Sequence, residues 1–572
     1  MTDGKLSRGI GLAGAFCGVV LALLAGNGST PSVRAAQKEK EYPKPPEEIT
    51  SIGAAGCQEC HNFPKPEAQP LYKQTHSYKF VRLWENLIWE NHDLHSQAYK
   101  NLDPTSNLIA QKMQANSIKI RGGTYSITKD TSCLACHANV KKPLAQLKPT
   151  NWKVKDFDII DGVGCEMCHG HGSAYRDRHR LPVDVDEPAA GEPIKVVPWR
   201  NWPPSVKSEW GLVNLRDPAT AATKCASCHV GNKDEGRFVT HEMFAVGHPP
   251  LPPLDLMAYA REQPRHWGLA SEMPYLVSLA KKDPQQAFDT FHYRDGESLV
   301  ARRFAESTIG TLAASIALTG QLAAGAKEKN DGLDFAAFDC YSCHHNLKYP
   351  SDRQARGYDG PPGRPQFRLA PFALARLVVD HAAGMEKGND LKPLAAKLDQ
   401  IQKKLALVFG NKTYGDPELV GKATDEVNAW CKTATTELRA VRYTTAESVK
   451  LLAKIVESAS REPIADPRMV PASQRAVADP ELAQMYVWAA ETLIQELKDG
   501  PPKAITDLRE ALKATVVTRL RPNADFSFEQ KPTDGVSTLI SVDKRLHERM
   551  EIFNSYRGET FRAAFKKLGE LK

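Results

Sequence analysis

The pentapeptide Cys-x-x-Cys-His occurs five times in this chain: "CQECH" from Cys57, "CLACH" from Cys133, "CEMCH" from Cys165, "CASCH" from Cys225 and "CYSCH" from Cys340. Of the 12 cysteines, only Cys17 and Cys431 stand outside these units. Paired cysteines in an exported chain would ordinarily suggest disulfides. A disulfide framework gives no reason for a histidine directly after each second cysteine. A zinc site needs closed sets of four ligands and does not fix a histidine there either.

The spacing does match the attachment signature of c-type haem. The two thiols form thioethers with the vinyl groups, and the histidine turns its ring under the iron. The spacing is tight because vinyls and iron hold fixed places on one rigid macrocycle. Five units imply five covalent haems. Cys57, Cys60, Cys133, Cys136, Cys165, Cys168, Cys225, Cys228, Cys340 and Cys343 would be the attachment thiols. His61, His137, His169, His229 and His344 would be the proximal iron ligands. From Gly56 to Asn346 the sequence reads as loop-rich and poor in long apolar runs. Buried macrocycles would supply the missing apolar area, and this region is expected not to fold without them.

A second axial ligand must come from elsewhere. The chain has 17 histidines and 10 methionines, and few of the methionines lie near the motifs. His/His ligation is better supplied than His/Met, and gives lower potentials. The spare histidines cluster within the motif region. His76 stands in "YKQTHSYKF", His92 and His95 in "LIWENHDLHSQAYKNL", His179 in "GHGSAYRDRH", His241 and His248 in "HEMFAVGHPPL", and His266 in "RHWGL". His76, His95, His179, His241 and His248 are the candidate distal ligands. His292, His381 and His547 read as ordinary core or surface residues.

"GVGCEMCHGHGSAYRDRH" resembles the third haem segment of the tetrahaem cytochrome c that accepts electrons from hydroxylamine oxidoreductase. That resemblance implies that the histidine ten residues past the motif, here His179, caps the first haem opposite His61. It also implies that a histidine after the first motif caps the third haem. His95 is the nearest match and His76 its rival. The second haem, that of His137, would be five-coordinate. "HEMFAVGHPPL", "RHW", "FDCYSCHHNLKYPSDRQ" and "GPPGRP" resemble a pentahaem group of exported cytochromes, and the likeness spans about residues 50–370. The tetrahaem relative lacks the fifth motif, so ligands at His344 cannot be carried over. His171 stands where that family usually has proline, and reads as a surface residue or a propionate partner.

Residues 1–35 carry Lys5 and Arg8, then an apolar run from Gly9 to Gly26, and read as a secretory signal. The alternative is an uncleaved anchor, since 18 residues is at the lower limit for a span. No later stretch reads as membrane-spanning. The segment 36–50 is a polar leader, 51–347 the pentahaem domain, and 348–366 a Pro/Gly-rich connector. Residues 367–572 form a helical C-terminal region, with apolar spacing of three and four in six stretches. Cys431 there reads as a buried thiol. The fold class is therefore mainly α: a loop-rich multihaem domain built round stacked haems, followed by a helical bundle. The formal charge of +7 falls to near zero once signal loss, propionates and ferric centres are included. Basic residues then pair with propionates and nucleic acid is not a partner.

The function that follows is electron transfer in the periplasm, through five mostly bis-His haems, between redox protein partners. Membrane contact arises only if the N-terminal segment stays on. The alternative is a multihaem oxidoreductase acting on a small nitrogen-oxide substrate at an open iron, that of His137. Against it, all five motifs end in histidine, whereas pentahaem nitrite reductases carry a lysine in one.

Overall fold

The computed structural model describes residues 42–65, 81–143, 148–179, 199–343, 364–368, 370–464, 474–495 and 558–570. His76, His344, most of the connector, the signal and leader up to residue 41, and the helical stretch "AITDLREALKATVV" lie outside the described residues. The described residues from Pro45 onward form one compact unit.

The fold is mainly α. Its one sheet among the described residues is a two-residue antiparallel pair, Asn139–Val140 with Phe157–Asp158. Local sequence explains many helix starts. Asp217, Asp416 and Asp479 each stand before a proline that opens a helix, and each carboxylate accepts backbone N–H bonds of the first turn. Aspartate satisfies the orphan donors there, and proline has no N–H to lose. Asp130 caps Thr131–His137 in the same way.

The core is organised by one 31-residue helix, Leu299–Lys329. Its Phe304, Ile309, Leu312 and Ile316 are fully buried. It packs against Pro218–His229, which carries the fourth motif, and against Pro417–Ala440. Gly310 permits the first contact: a Cβ there would lie 2.7 Å from the Ala219 carbonyl oxygen. This helix corrects the expectation that Gly56–Asn346 lacks long apolar runs. Its alanines, glycines and threonines dilute the hydrophobic pattern, yet its length and mean hydropathy would suit a bilayer span. Its flanks are instead covered by other helices of the same core.

The C-terminal helices Ala370–Ala383, Leu391–Asn411, Thr445–Ala459, Pro480–Ile494 and Gly558–Glu570 match expected helical stretches. Pro417–Ala440 was not foreseen, although it buries Val427, Trp430 and Cys431. Burial pushes the Cys431 thiol well up. One hydrophobic cluster holds Phe304 and Leu312 together with Phe372, Trp430 and Tyr486. The boundary near residue 366 thus falls within a shared core.

Candidate haem cavity

The first four motifs are helical: Gly53–His61, Thr131–His137, Cys165–His169 and Pro218–His229 each end on the motif histidine. Residues i, i+3 and i+4 share a helix face, so both thiols and the ring of each unit point the same way. All four open onto one cavity of about 2100 Å³. Ligand pockets ordinarily reach about 1,000 Å³, so this volume suits several large groups. Cys340 of the fifth motif also lines it, as do Glu481 and Gln484 from the C-terminal region.

The motifs are paired. The Cys57 and Cys165 thiols lie close enough to interact, as do those of Cys136 and Cys228. No motif cysteine among the described residues is in a disulfide. Burial pushes Cys133 and Cys225 up to about 12 and Cys168 up to about 11, which keeps them neutral thiols.

Opposite three motif histidines stands a second ring. His61 and His179 have ring centres 6.3 Å apart and planes 13° from parallel. His229 faces His95 at 6.1 Å, and His169 faces His266 at 6.4 Å. Two imidazole nitrogens, each about 2 Å from one metal, put their ring centres roughly 6 Å apart. His248 lies within electrostatic reach of His137 on the same cavity wall. His241 packs against Phe335, just before the fifth motif, at 5.4 Å.

The second nitrogens settle the tautomers. Nδ1 of His137, His179, His248 and His266 faces the carbonyl oxygens of Ala98, Tyr175, Pro249 and Pro264, at 2.8 to 3.3 Å. A carbonyl only accepts, so Nδ1 carries the proton and Nε2 keeps its lone pair for a metal. His61 and His95 make the same bond to carboxylates instead. Nδ1 of His61 lies 2.9 Å from Glu85, and Nδ1 of His95 lies 2.8 Å from Asp93. Burial pulls both rings down, but these carboxylates outweigh it and leave them raised. Burial and neighbouring rings push His169, His229 and His248 down to about 4. A neutral ring is the form that a metal requires. Thiols, rings and cavity together fit covalent haem.

The resemblance assigned His95 or His76 to the third haem. The structure instead turns His95 toward the fourth motif and brings His266 to the third. The reason is local: Asp93 caps the 3-10 turn Leu94–Gln97 and holds both the backbone N–H and the ring of His95. His171 is tied by Nε2 to the Val140 carbonyl at 2.9 Å. Gly170, at φ +84°, makes the turn past the third motif, where a Cβ would overlap the Gly211 carbonyl oxygen.

Two charged residues of the site carry no sequence signature. Glu166, between the cysteines of the third motif, accepts N–H bonds from Ile52, Gly53 and Gly172. Arg237 donates to the Ala135 carbonyl of the second motif and to Ser227 Oγ of the fourth, and reaches Met167 Sδ of the third at 3.7 Å. A histidine elsewhere, His292, is buried between Glu306 and Asp217. His381 is buried beside Glu447.

Residues 56–170 match the family described as "Cytochrome c554 and c-prime". This span holds the first three motifs. The chain is 29% identical over 109 residues to the "C-type polyheme cytochrome OmcC" of Geobacter sulfurreducens. That stretch is 19% of this chain and 10% of the relative, so the chain spans about a tenth of the curated relative's length. No solved structure matches. These comparisons support a multihaem c-type cytochrome, with covalently bound haem serving electron transfer.

Proposed function

We propose that this protein is an exported, periplasmic electron carrier with five covalent haems, bis-His ligated at least at the first, third and fourth motifs. The observation that carries this reading is the set of three ring pairs at 6.1–6.4 Å. The ligand pairs are His61 with His179, His169 with His266, and His229 with His95. His248, on the same cavity wall, is the partner of His137, and His241 serves the fifth motif, whose own ligand is His344. Bound haem supplies a one-electron ferric–ferrous couple.

The chain's own residues do the rest. Backbone carbonyls and two carboxylates orient the rings. Leu134, Ala135 and Ala226, fully buried, keep water from the motif helices. Arg200, Arg216 and Arg303 line the cavity as counter-charges for propionates. His248 beside His137 speaks against an open iron there, and so against the oxidoreductase reading. Redox proteins are the partners.

The test is the spin state of the purified ferric protein, with its intact mass. Low-spin signals throughout and a mass of five haems above the apo-protein are expected. A high-spin iron that binds nitric oxide in the resting protein would favour the enzyme, and four or fewer haems would remove the fifth motif from the scheme.

A further inference from the structure

The Nδ1 partners of six of the proposed ligand histidines divide into two chemical kinds. Those of His137, His179, His248 and His266 are neutral carbonyls. Those of His61 and His95 are the carboxylates of Glu85 and Asp93. Both carboxylates belong to one short helix, Glu85–His92: Glu85 is its first residue and Asp93 follows its last. Asp93 is 4% exposed. Its oxygens are taken by the His95 ring and N–H and by the Gln263 amide, at 2.8 to 3.0 Å. Glu85 accepts the Arg82 N–H as well as His61.

The first-motif helix packs against the third-motif helix, and Arg237 bridges the second motif to the fourth through Ala135 and Ser227. Each pair therefore contains one motif backed by a carboxylate and one backed by carbonyls. A carboxylate accepting from Nδ1–H makes the imidazole a more basic ligand. Its buried negative charge also favours the more positive, oxidised iron. Both effects have the same sign.

We propose that Glu85 and Asp93 set the potentials of the cluster. They make the haems held at Cys57/Cys60 and Cys225/Cys228 the harder to reduce of their pairs. An electron entering either pair then settles on the haem held at Cys165/Cys168 or at Cys133/Cys136. This assignment rests on the ligand pairs proposed above, and gives each pair an internal direction.

The experiment is a potentiometric titration of the holo-protein followed optically and by electron paramagnetic resonance, for Glu85→Gln, Asp93→Asn and the double variant. Each single variant should raise one midpoint, a different one in each, by at least a tenfold shift in its reduction equilibrium, about 59 mV for one electron. The double variant should narrow the spread of midpoints. Asp93→Glu, which keeps the charge, should stay near the parent. Unmoved or lowered midpoints in variants with intact low-spin spectra would overturn the proposal. A separate control judges the ligand pairs: His95→Ala and His61→Ala should each create one high-spin iron. If these leave the spectrum low-spin, the ligation reading fails; if they open an iron while the carboxylate variants shift nothing, only the present inference fails.

Discussion

The Glu166 carboxylate accepts the Gly53 backbone N–H at 2.8 Å. A side chain inside the third motif thus caps the helix of the first. Glu166 is 5% exposed, so its loss would leave buried donors without acceptors. Glu166→Leu should cost about 2 kcal/mol or more, read as a lower thermal midpoint of the holo-protein. Glu166→Gln, which keeps one acceptor oxygen, should cost less.

His179→Ala should open one iron. That iron should become high-spin and bind carbon monoxide, while the other haems keep their spectra. His171 will not take its place, because its Nε2 is held by the Val140 carbonyl. An unchanged low-spin spectrum would reject the His61–His179 pair.

His266→Ala and His95→Ala should each open a different iron. If His95 served the third haem, as the family resemblance implies, the two variants would compete for one site. Distinct high-spin signals that add in the double variant would support the assignment of His95 to the fourth motif and His266 to the third.

Arg237 touches three motifs and is 5% exposed. Arg237 also pairs with Glu235, so Arg237→Met keeps the stem but leaves the Ala135 carbonyl and the Glu235 carboxylate without this donor. A loss of about 3 kcal/mol is expected, with lower yield of fully loaded protein by absorbance per mass.

The folded chain responds to acid through His381. Burial pushes its pKa down to about 4, with Glu447 partly opposing. The unfolded chain binds this proton near pH 6.5. Between pH 6.5 and 4 the unfolded state therefore holds more protons, and stability falls as pH falls. The loss is at most about 3 kcal/mol. His381→Leu should flatten the decline of the thermal midpoint across that window.

The thiols and the histidine of each motif stand out in the sequence because a rigid macrocycle would fix their spacing. His179 stands out through a family resemblance, and its ring centre lies 6.3 Å from that of His61, after the turn at Gly170. His266 was noticed but not chosen, since a lone histidine near a tryptophan carries no spacing rule. Glu85, Glu166 and Arg237 had no local signal, because each acts on a ring, helix or motif that the chain brings close by folding: Arg237 reaches Ala135, 102 residues away. Asp93 acts locally, on His95 two residues on, but that short spacing marks no ligand by itself. The central helix was missed because its alanines, glycines and threonines break up the run of large apolar residues, although its mean hydropathy is high.

Glu481, Gln484 and Gln495 form part of the wall round the motif cysteines. All three follow the fifth motif in the sequence. The chamber is therefore walled in part by a region that carries no haem motif of its own, which makes the helical region a lining of the compartment and not an appendage to it.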